Sequence, residues 1–433
     1  MTPEIGLLLS FGFFIVLVAI GLAVPFSILL PSLLYLFLLG GWSSFNALGI
    51  VSWANLDTFN LTAIPMFLLL AQILERGGLT FRVYQGLAKL TSWMPGGLLQ
   101  SNIVGCAVFA AVTGSSVATA ATVGAAALPQ LEKRNYDRQL SAGSLAAGGT
   151  LGILVPPSLV LIIYSTFSDT SVARLFAAGI VPGIILARMF MIYIAIRTTI
   201  TPSLAPREAG PANVAEAIQA LLDVVPVGLL VFLVLGGLYL GWTTPAEAGA
   251  LGCTGAIILC AIFGTLTWRD FTAALRSAVL SVGNILFLVY SAYVFSHAIS
   301  FGGVGESFTA WMVSFHLSRL QFMLVLFVIY TVLGCLIEGV GMIVMTVPII
   351  FPIMAEYQID PVWFGIILVV YIEMGMISPP IGINLFVIQS QWNGKLKDVV
   401  IGTLPFHIIM LLLLIMLMAW PEIALWLPAR MHG

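Results

Sequence analysis

Charge is what this chain has least of. Aspartate, glutamate, lysine and arginine together make up 8% of its 433 residues, against about 25% in soluble domains. That scarcity excludes a water-soluble globular protein. The net charge of −2 leaves no basic footprint for nucleic acid. Cysteine is scarce as well: Cys106, Cys253, Cys260 and Cys335 lie in apolar segments without paired metal-type spacing. They read as small core residues, not as disulfide partners or metal ligands. His297, His316, His407 and His432 are scattered, so no catalytic or zinc cluster is expected and no transition-metal site. H-E-x-x-H, G-x-S-x-G and a nucleophile–His–Asp constellation are all missing, which argues against a membrane enzyme and for a non-enzyme without cofactor. The first segment has no basic flank, and its apolar run continues past the length of a signal-peptide core. It is expected to stay on the protein, with the N-terminus outside.

What remains is hydrophobic. Such residues make up 60% of the chain, and mean hydropathy is +1.11. The expected fold is an all-α polytopic membrane protein embedded in a lipid bilayer. Apolar spans are expected near 5–24, 25–41, 60–76, 172–197, 222–242, 246–266, 278–300 and 399–428. The longest polar stretch, 198–220, reads as a cytoplasmic linker. Two segments mixing aromatics with charge, 80–93 and 268–279, read as amphipathic helices lying flat at the interface.

Two long apolar runs are interrupted by double prolines, "ILVPPSLV" at 153–160 and "MISPPIGI" at 376–383. Proline costs about 3 kcal/mol inside a helix. Pro156-Pro157 recurs 223 residues later as Pro379-Pro380. The same offset carries Gly152 to Gly375, Pro129 to Pro352, Gly179 to Gly402 and Pro182 to Pro405. Five landmarks on one offset make the halves copies: 1–197 and 221–433, joined by the linker. Each copy holds a hairpin, about 95–131 or 320–355, and a broken helix, about 139–168 or 361–391. The first hairpin has a basic base with Arg76, Arg82, Lys89, Lys133, Arg134 and Arg138; the second has Glu306, Arg319, Glu356 and Asp360. By the positive-inside rule the two units enter from opposite sides, so the repeats are inverted, as in secondary transporters. The count of spans puts both termini on the periplasmic side.

Unpaired backbone costs several kcal/mol per group in hydrocarbon, so breaks survive only where they line a cavity. There are four: "TGSSVAT" (113–119), "GGTLGILVPPS" (148–158), "IEGVGM" (337–342) and "GMISPPIGIN" (375–384). Exposed carbonyls with the hydroxyls of Ser115, Ser116, Thr150 or Ser378 suit a dehydrated Na+. Half-helix N–H ends suit an anion. Gly114, Gly149, Gly339, Gly341 and Gly382 allow close approach. Ser158 and Asn384, just past the double prolines, are placed to donate to a substrate. Glu338, Glu373 and Glu247 are the carboxylates at membrane depth, and such groups are functional candidates by default. Glu338 lies nearest a break, where it would balance a cation or hold the hairpin tip. Glu373 would face water or pair with a backbone group.

At "AIPMFLLLAQILERGGL", "VTGSSVATAATVGAAALPQL", "AAGGTLGILVPPS" and "GMISPPIGINLFV" the chain resembles the large membrane subunit of tripartite ATP-independent periplasmic (TRAP) transporters, over essentially its full length. The resemblance implies an elevator-type transport domain of hairpins and broken helices moving against a scaffold, in a bacterial-type inner membrane. It implies two partners, a small four-helix membrane subunit and a periplasmic substrate-binding protein. It also implies Na+-driven symport of a small organic anion such as a dicarboxylate or sialic acid. Sodium ligands would then gather around Ser115, Ser116, Gly149 and Thr150 in the first copy. In the second they would gather around Gly339, Gly341, Ser378 and Pro379. Substrate contacts are expected at Gly114, Pro157, Ser158, Glu338, Gly382 and Asn384. Glu338 stands where the first tip has a serine pair, which argues against identical cation sites. The alternatives are a freestanding carrier or Na+/H+ antiporter of the same superfamily and, from other classes, an enzyme or a passive channel.

Overall fold

The computed structural model describes residues 3–431 except 207–209, 212, 305–306, 308–311, 313, 336 and 393. Glu306, Leu336 and His432, and parts of the expected linker, therefore lie outside the described residues. The chain is all-helical. Nine helical segments among the described residues are long and apolar enough to cross a membrane. With its high hydropathy, this makes the chain a multi-pass membrane protein.

Helices α1 (Pro3–Ala19), α2 (Val24–Gly40), α3 (Leu48–Leu56), α4 (Ala63–Arg76) and α5 (Leu79–Thr91) open the chain. A hairpin follows, α6 (Leu98–Thr113) and α7 (Ser116–Lys133), then α8 (Arg138–Leu154) and α9 (Leu159–Ser168), separated by the first double proline. Helix α10 (Val172–Ile200) leads to α11 (Val214–Tyr239), α12 (Pro245–Ile262) and α13 (Trp268–Phe301). A second hairpin, α14 (Arg319–Gly334) and α15 (Gly339–Glu356), precedes α16 (Pro361–Met376) and α17 (Ile383–Ser390), separated by the second double proline. Helices α18 (Leu396–Ala419) and α19 (Glu422–Leu425) close the chain.

Local chemistry explains about half of the helix starts. Asp137, Ser158, Ser171, Asn213, Thr244, Thr267, Ser318 and Asp360 each accept an N–H from the first turn of the helix they precede. Two expectations change for this reason. The Asn213 cap starts α11 within the stretch read as linker, so helix already covers 214–220. The segment 268–279 is no separate interfacial helix, because α13 runs unbroken for 34 residues from its Thr267 cap. At 1.5 Å per residue that is about 51 Å, well beyond a hydrocarbon core of about 30 Å. The charged first turns of α13 can therefore stay outside the hydrocarbon without a break. The stretch 80–93 does form a helix of its own, α5, packed on α11 with Arg82 paired to Asp223 at 2.6 Å. Glu247 closes a capping box with Thr244 at the head of α12.

Burial divides the helices. The segment 138–168, which contains the first break, is 94% buried over its apolar window, whereas α11 is 28% buried. Helix α8 is the hub, packed chiefly on α18, α7 and α6. At Gly143 and Gly402 the backbones of α8 and α18 touch, because neither residue has a Cβ to hold them apart. Helices α1, α2, α13 and α15 enclose an apolar cavity of about 460 Å³.

Candidate functional site

The first hairpin turns in two residues. Gly114 takes a left-handed conformation (φ 59°), and a Cβ there would lie 2.9 Å from the Pro157 carbonyl oxygen. Its carbonyl accepts the Leu159 N–H at 3.2 Å, so the turn of the first hairpin and the start of α9 are bonded directly. Ser115 caps α7 by accepting the Ala118 N–H at 3.4 Å. The Ser115 carbonyl is enclosed by hydroxyls: Thr119 donates at 2.8 Å and Thr113 at 3.3 Å, and the two threonine hydroxyls lie 2.6 Å apart. Gly152 of α8 packs against this carbonyl and the Thr119 side chain so closely that any side chain would collide. Thr150 is buried and donates to the Ala147 carbonyl at 2.7 Å. Ser158 caps α9 through the Leu161 N–H at 3.4 Å. Gly114, Pro157 and Ser158 share a crevice with no room for a water molecule.

The second copy is built differently. Glu338 precedes α15 but makes no cap bond and is exposed, so it does not hold the hairpin tip through its side chain. Gly339 packs on Ile372 of α16, and Gly341 on Ile337. Ser378 donates to the Met374 carbonyl at 2.6 Å and lies 2.8 Å from Nε2 of His407 on α18. The Cys335 thiol, at the end of α14, sits 3.4 Å from the carbonyls of both Ser378 and Pro379. Gly382, ahead of α17, is left-handed at φ 55°. Each double proline is joined by a cis peptide bond. Pro156 and Pro157 are buried, whereas Pro379 and Pro380 are exposed.

One contact brings the copies together. The Asn384 amide donates to the Ser116 hydroxyl at 2.7 Å and lies 3.4 Å from the Ala146 carbonyl of α8. Asn384 is fully buried, and its own carbonyl oxygen has no partner. Gln391 adds a bond from beyond α17 to the Ala121 carbonyl of α7 at 2.9 Å. So Ser115, Ser116, Pro157 and Ser158 gather around the first tip, Gly149 packs on Ala120 of α7, and Asn384 joins them, whereas Thr150 bonds only within α8. Gly339, Ser378 and Pro379 gather around Cys335 and α16.

The family model for "Tripartite ATP-independent periplasmic transporter, DctM component" matches residues 11–423, a span that takes in both hairpins and both broken helices. The chain belongs to this family. Like the family's other large permeases, it is a transport protein and not an enzyme. It is 34% identical over 393 residues to the C4-dicarboxylate TRAP transporter large permease protein DctM of Pseudomonas aeruginosa, covering 89% of this chain and 90% of that one. It is 28% identical over 414 residues to the isethionate TRAP transporter permease protein DctMQ of Oleidesulfovibrio alaskensis, covering 95% of this chain and 65% of the relative. Among solved structures, the YdaH transporter of Alcanivorax borkumensis superposes with a TM-score of 0.68 at 14% identity, over 98% of this chain and 99% of that one. That last likeness is one of fold.

Sequence reasoning passed over four residues that stand at the breaks of this TRAP permease. Thr113 and Thr119 flank "GSS" at the spacing that lets a threonine reach back along a helix start, a signal present in the sequence. Cys335 and His407 left no such signal. The thiol reads as core filler, and the histidine lies 29 residues from the serine it touches.

Proposed function

We propose that this chain is the membrane carrier of a Na+-coupled TRAP system that takes up a small organic anion handed over by a periplasmic binding protein. The observation that carries the reading is the Asn384–Ser116 bond, which unites the second broken helix with the first hairpin tip at one buried centre. Carbonyls and hydroxyls from Ser115, Ser116, Gly149 and Thr150 would hold one Na+; those from Gly339, Gly341, Ser378 and Pro379 would hold another. Gly114, Pro157, Ser158, Gly382 and Asn384 would face the anion between them, with the exposed Glu338 at the rim. Relatives whose names specify a C4-dicarboxylate and isethionate, both organic acids, support the substrate class.

In this reading 1–197 and 221–433 are inverted repeats. The hairpins and broken helices move as an elevator against the outer helices, and both termini are periplasmic in the inner membrane. Helices α6 and α14 have 16 residues each, about 24 Å, too short for a hydrocarbon core of about 30 Å. That length favours hairpins that enter and return. The apolar cavity between α15 and α1, α2 and α13 leaves hairpin two room to move. A small membrane subunit would complete the scaffold, as the longer DctMQ relative suggests by its name.

The test is uptake of a labelled C4-dicarboxylate, then of a sulfonate, into vesicles holding this chain, its small subunit and its binding protein. Uptake should require an inward Na+ gradient, and Ser115→Ala with Ser116→Ala should weaken the Na+ dependence. Uptake by the chain alone would favour a freestanding carrier. Na+ dependence unchanged in the double variant would remove the assignment at the first tip.

A further inference from the structure

Glu373 sits in α16 five residues before Ser378, and no part of it reaches the surface. Neither carboxyl oxygen receives a hydrogen bond. The residues around it on the helix have partners. The Tyr371 hydroxyl donates to the Met323 carbonyl at 2.9 Å, the Met374 carbonyl takes Ser378 and His407, and Gly375 packs on Gly334. Only the carboxylate is left without one.

The helices packed on α16 offer it no counter-charge. They are α8, α9, α10, α14, α15, α17, α18 and α19. Their basic residues, Arg138, Arg174, Arg188, Arg197, Arg319 and Lys397, are all exposed. The acids Glu338, Glu356 and Glu422 are exposed too, and Asp398 of α18 accepts from Gln139 at 3.3 Å. The remaining ionisable groups are committed elsewhere. Tyr330 bonds Thr346, Tyr164 donates to the Pro361 carbonyl at 2.7 Å, and Tyr193 meets Phe406 edge-on. His407 is bonded through Nε2 to Ser378 and the Met374 carbonyl while its Nδ1 has no partner, and Cys335 is held by the second double proline. An ionised carboxylate without donor or counter-ion is among the costliest groups to bury, and a bound cation removes that cost. The smallest cation, a proton, needs no further ligand.

We propose that Glu373 is a proton-binding site. It holds a proton in the packing seen here and exchanges it with water when the second break opens, adding a proton to the ions this carrier moves. The exchange rests on the reading that the second break opens during transport; the bound proton does not. A carboxyl thus placed links proton occupancy to the closure of α14, α15 and α17 around the end of α16.

Infrared spectra of the complete complex in lipid, in H2O and D2O, test this without Na+ or substrate. Wild type at neutral pH should show the C=O stretch of a neutral carboxylic acid. Glu373→Gln should lose it, Glu338→Gln should keep it, and prolonged alkaline exposure should bleach it. If Glu373→Gln assembles poorly, Glu373→Asp should move the same band. No acid band, or one that Glu373→Gln leaves untouched, overturns the site. A band that persists unchanged at alkaline pH and in D2O overturns the exchange. Spectra that bear out the site while uptake shows no Na+ dependence would reject the Na+-coupled reading and leave the proton site standing.

Discussion

The amide of Asn384 donates to the hydroxyl of Ser116 across 2.7 Å, joining residues 268 positions apart in the chain. Both residues are buried. The bond ties α17 to the tip of the first hairpin, so movement of either half-helix carries the other.

Removing that amide should cost stability as well as transport. Asn384→Ala takes away a buried donor, at about 1–3 kcal/mol. A double-mutant cycle with Ser116→Ala should show a coupling of about 0.5–3 kcal/mol, read from thermal unfolding of the complex in lipid discs. Strictly additive losses would mean the two side chains do not act together.

The contact between α8 and α18 tolerates no side chain. A Cβ on Gly402 would collide with the Gln139 carbonyl. Gly402→Ala should therefore lower the unfolding temperature by the equivalent of about 1–3 kcal/mol. Ile401→Ala, on the exposed side of the same turn, should stay within about 0.5 kcal/mol of wild type. Equal behaviour of the two variants would contradict the close approach of the helices.

Cys335 reports on the second hairpin tip. Its thiol lies between the end of α14 and the second double proline, while Cys106 and Cys260 have no exposure at all. A small thiol reagent should modify Cys335 before Cys106 and Cys260, and saturating Na+ should slow the reaction at Cys335 but not at Cys253, which is equally exposed at 6% and lies away from the tip. Mass spectrometry of the labelled chain decides it. Modification first at Cys106 would place the opening elsewhere.

His407 should matter through Ser378. His407→Ala removes the ring whose Nε2 lies against the Ser378 hydroxyl and the Met374 carbonyl. A lost hydrogen bond of about 0.5–1.5 kcal/mol should weaken the Na+ dependence of uptake by up to about tenfold, and His407→Gln should recover part of it. A change in substrate affinity with Na+ dependence intact would assign the histidine to the anion instead.

Helix positions were legible because they rest on local quantities. Apolar runs of spanning length, capping residues and prolines act over a few residues, and helices of the structure start at Arg138 and Pro361, beside the caps Asp137 and Asp360. The errors came where a local signal was outweighed. The charged stretch 268–279 reads as an interfacial segment, yet nothing in it stops a helix, and α13 runs through it. Thr119 was legible in principle, since a threonine four residues past the turn can reach the Ser115 carbonyl. His407 was not: an isolated histidine in an apolar run looks the same whether it touches a serine or lipid.

The sequence by itself determined the solvent in which this protein folds, the four places where its helices break and the family to which it belongs. Each depends on composition or short motifs, and an apolar environment forces unpaired backbone to such places. Only the tertiary structure decided which break meets which. It put Asn384 against Ser116, set Cys335 and His407 on the second double proline, buried Pro156-Pro157 while leaving Pro379-Pro380 open, and left the Glu373 carboxyl without a donor. Those pairings depend on how distant helices pack, and close contacts such as Gly143 with Gly402 are what bring them into register.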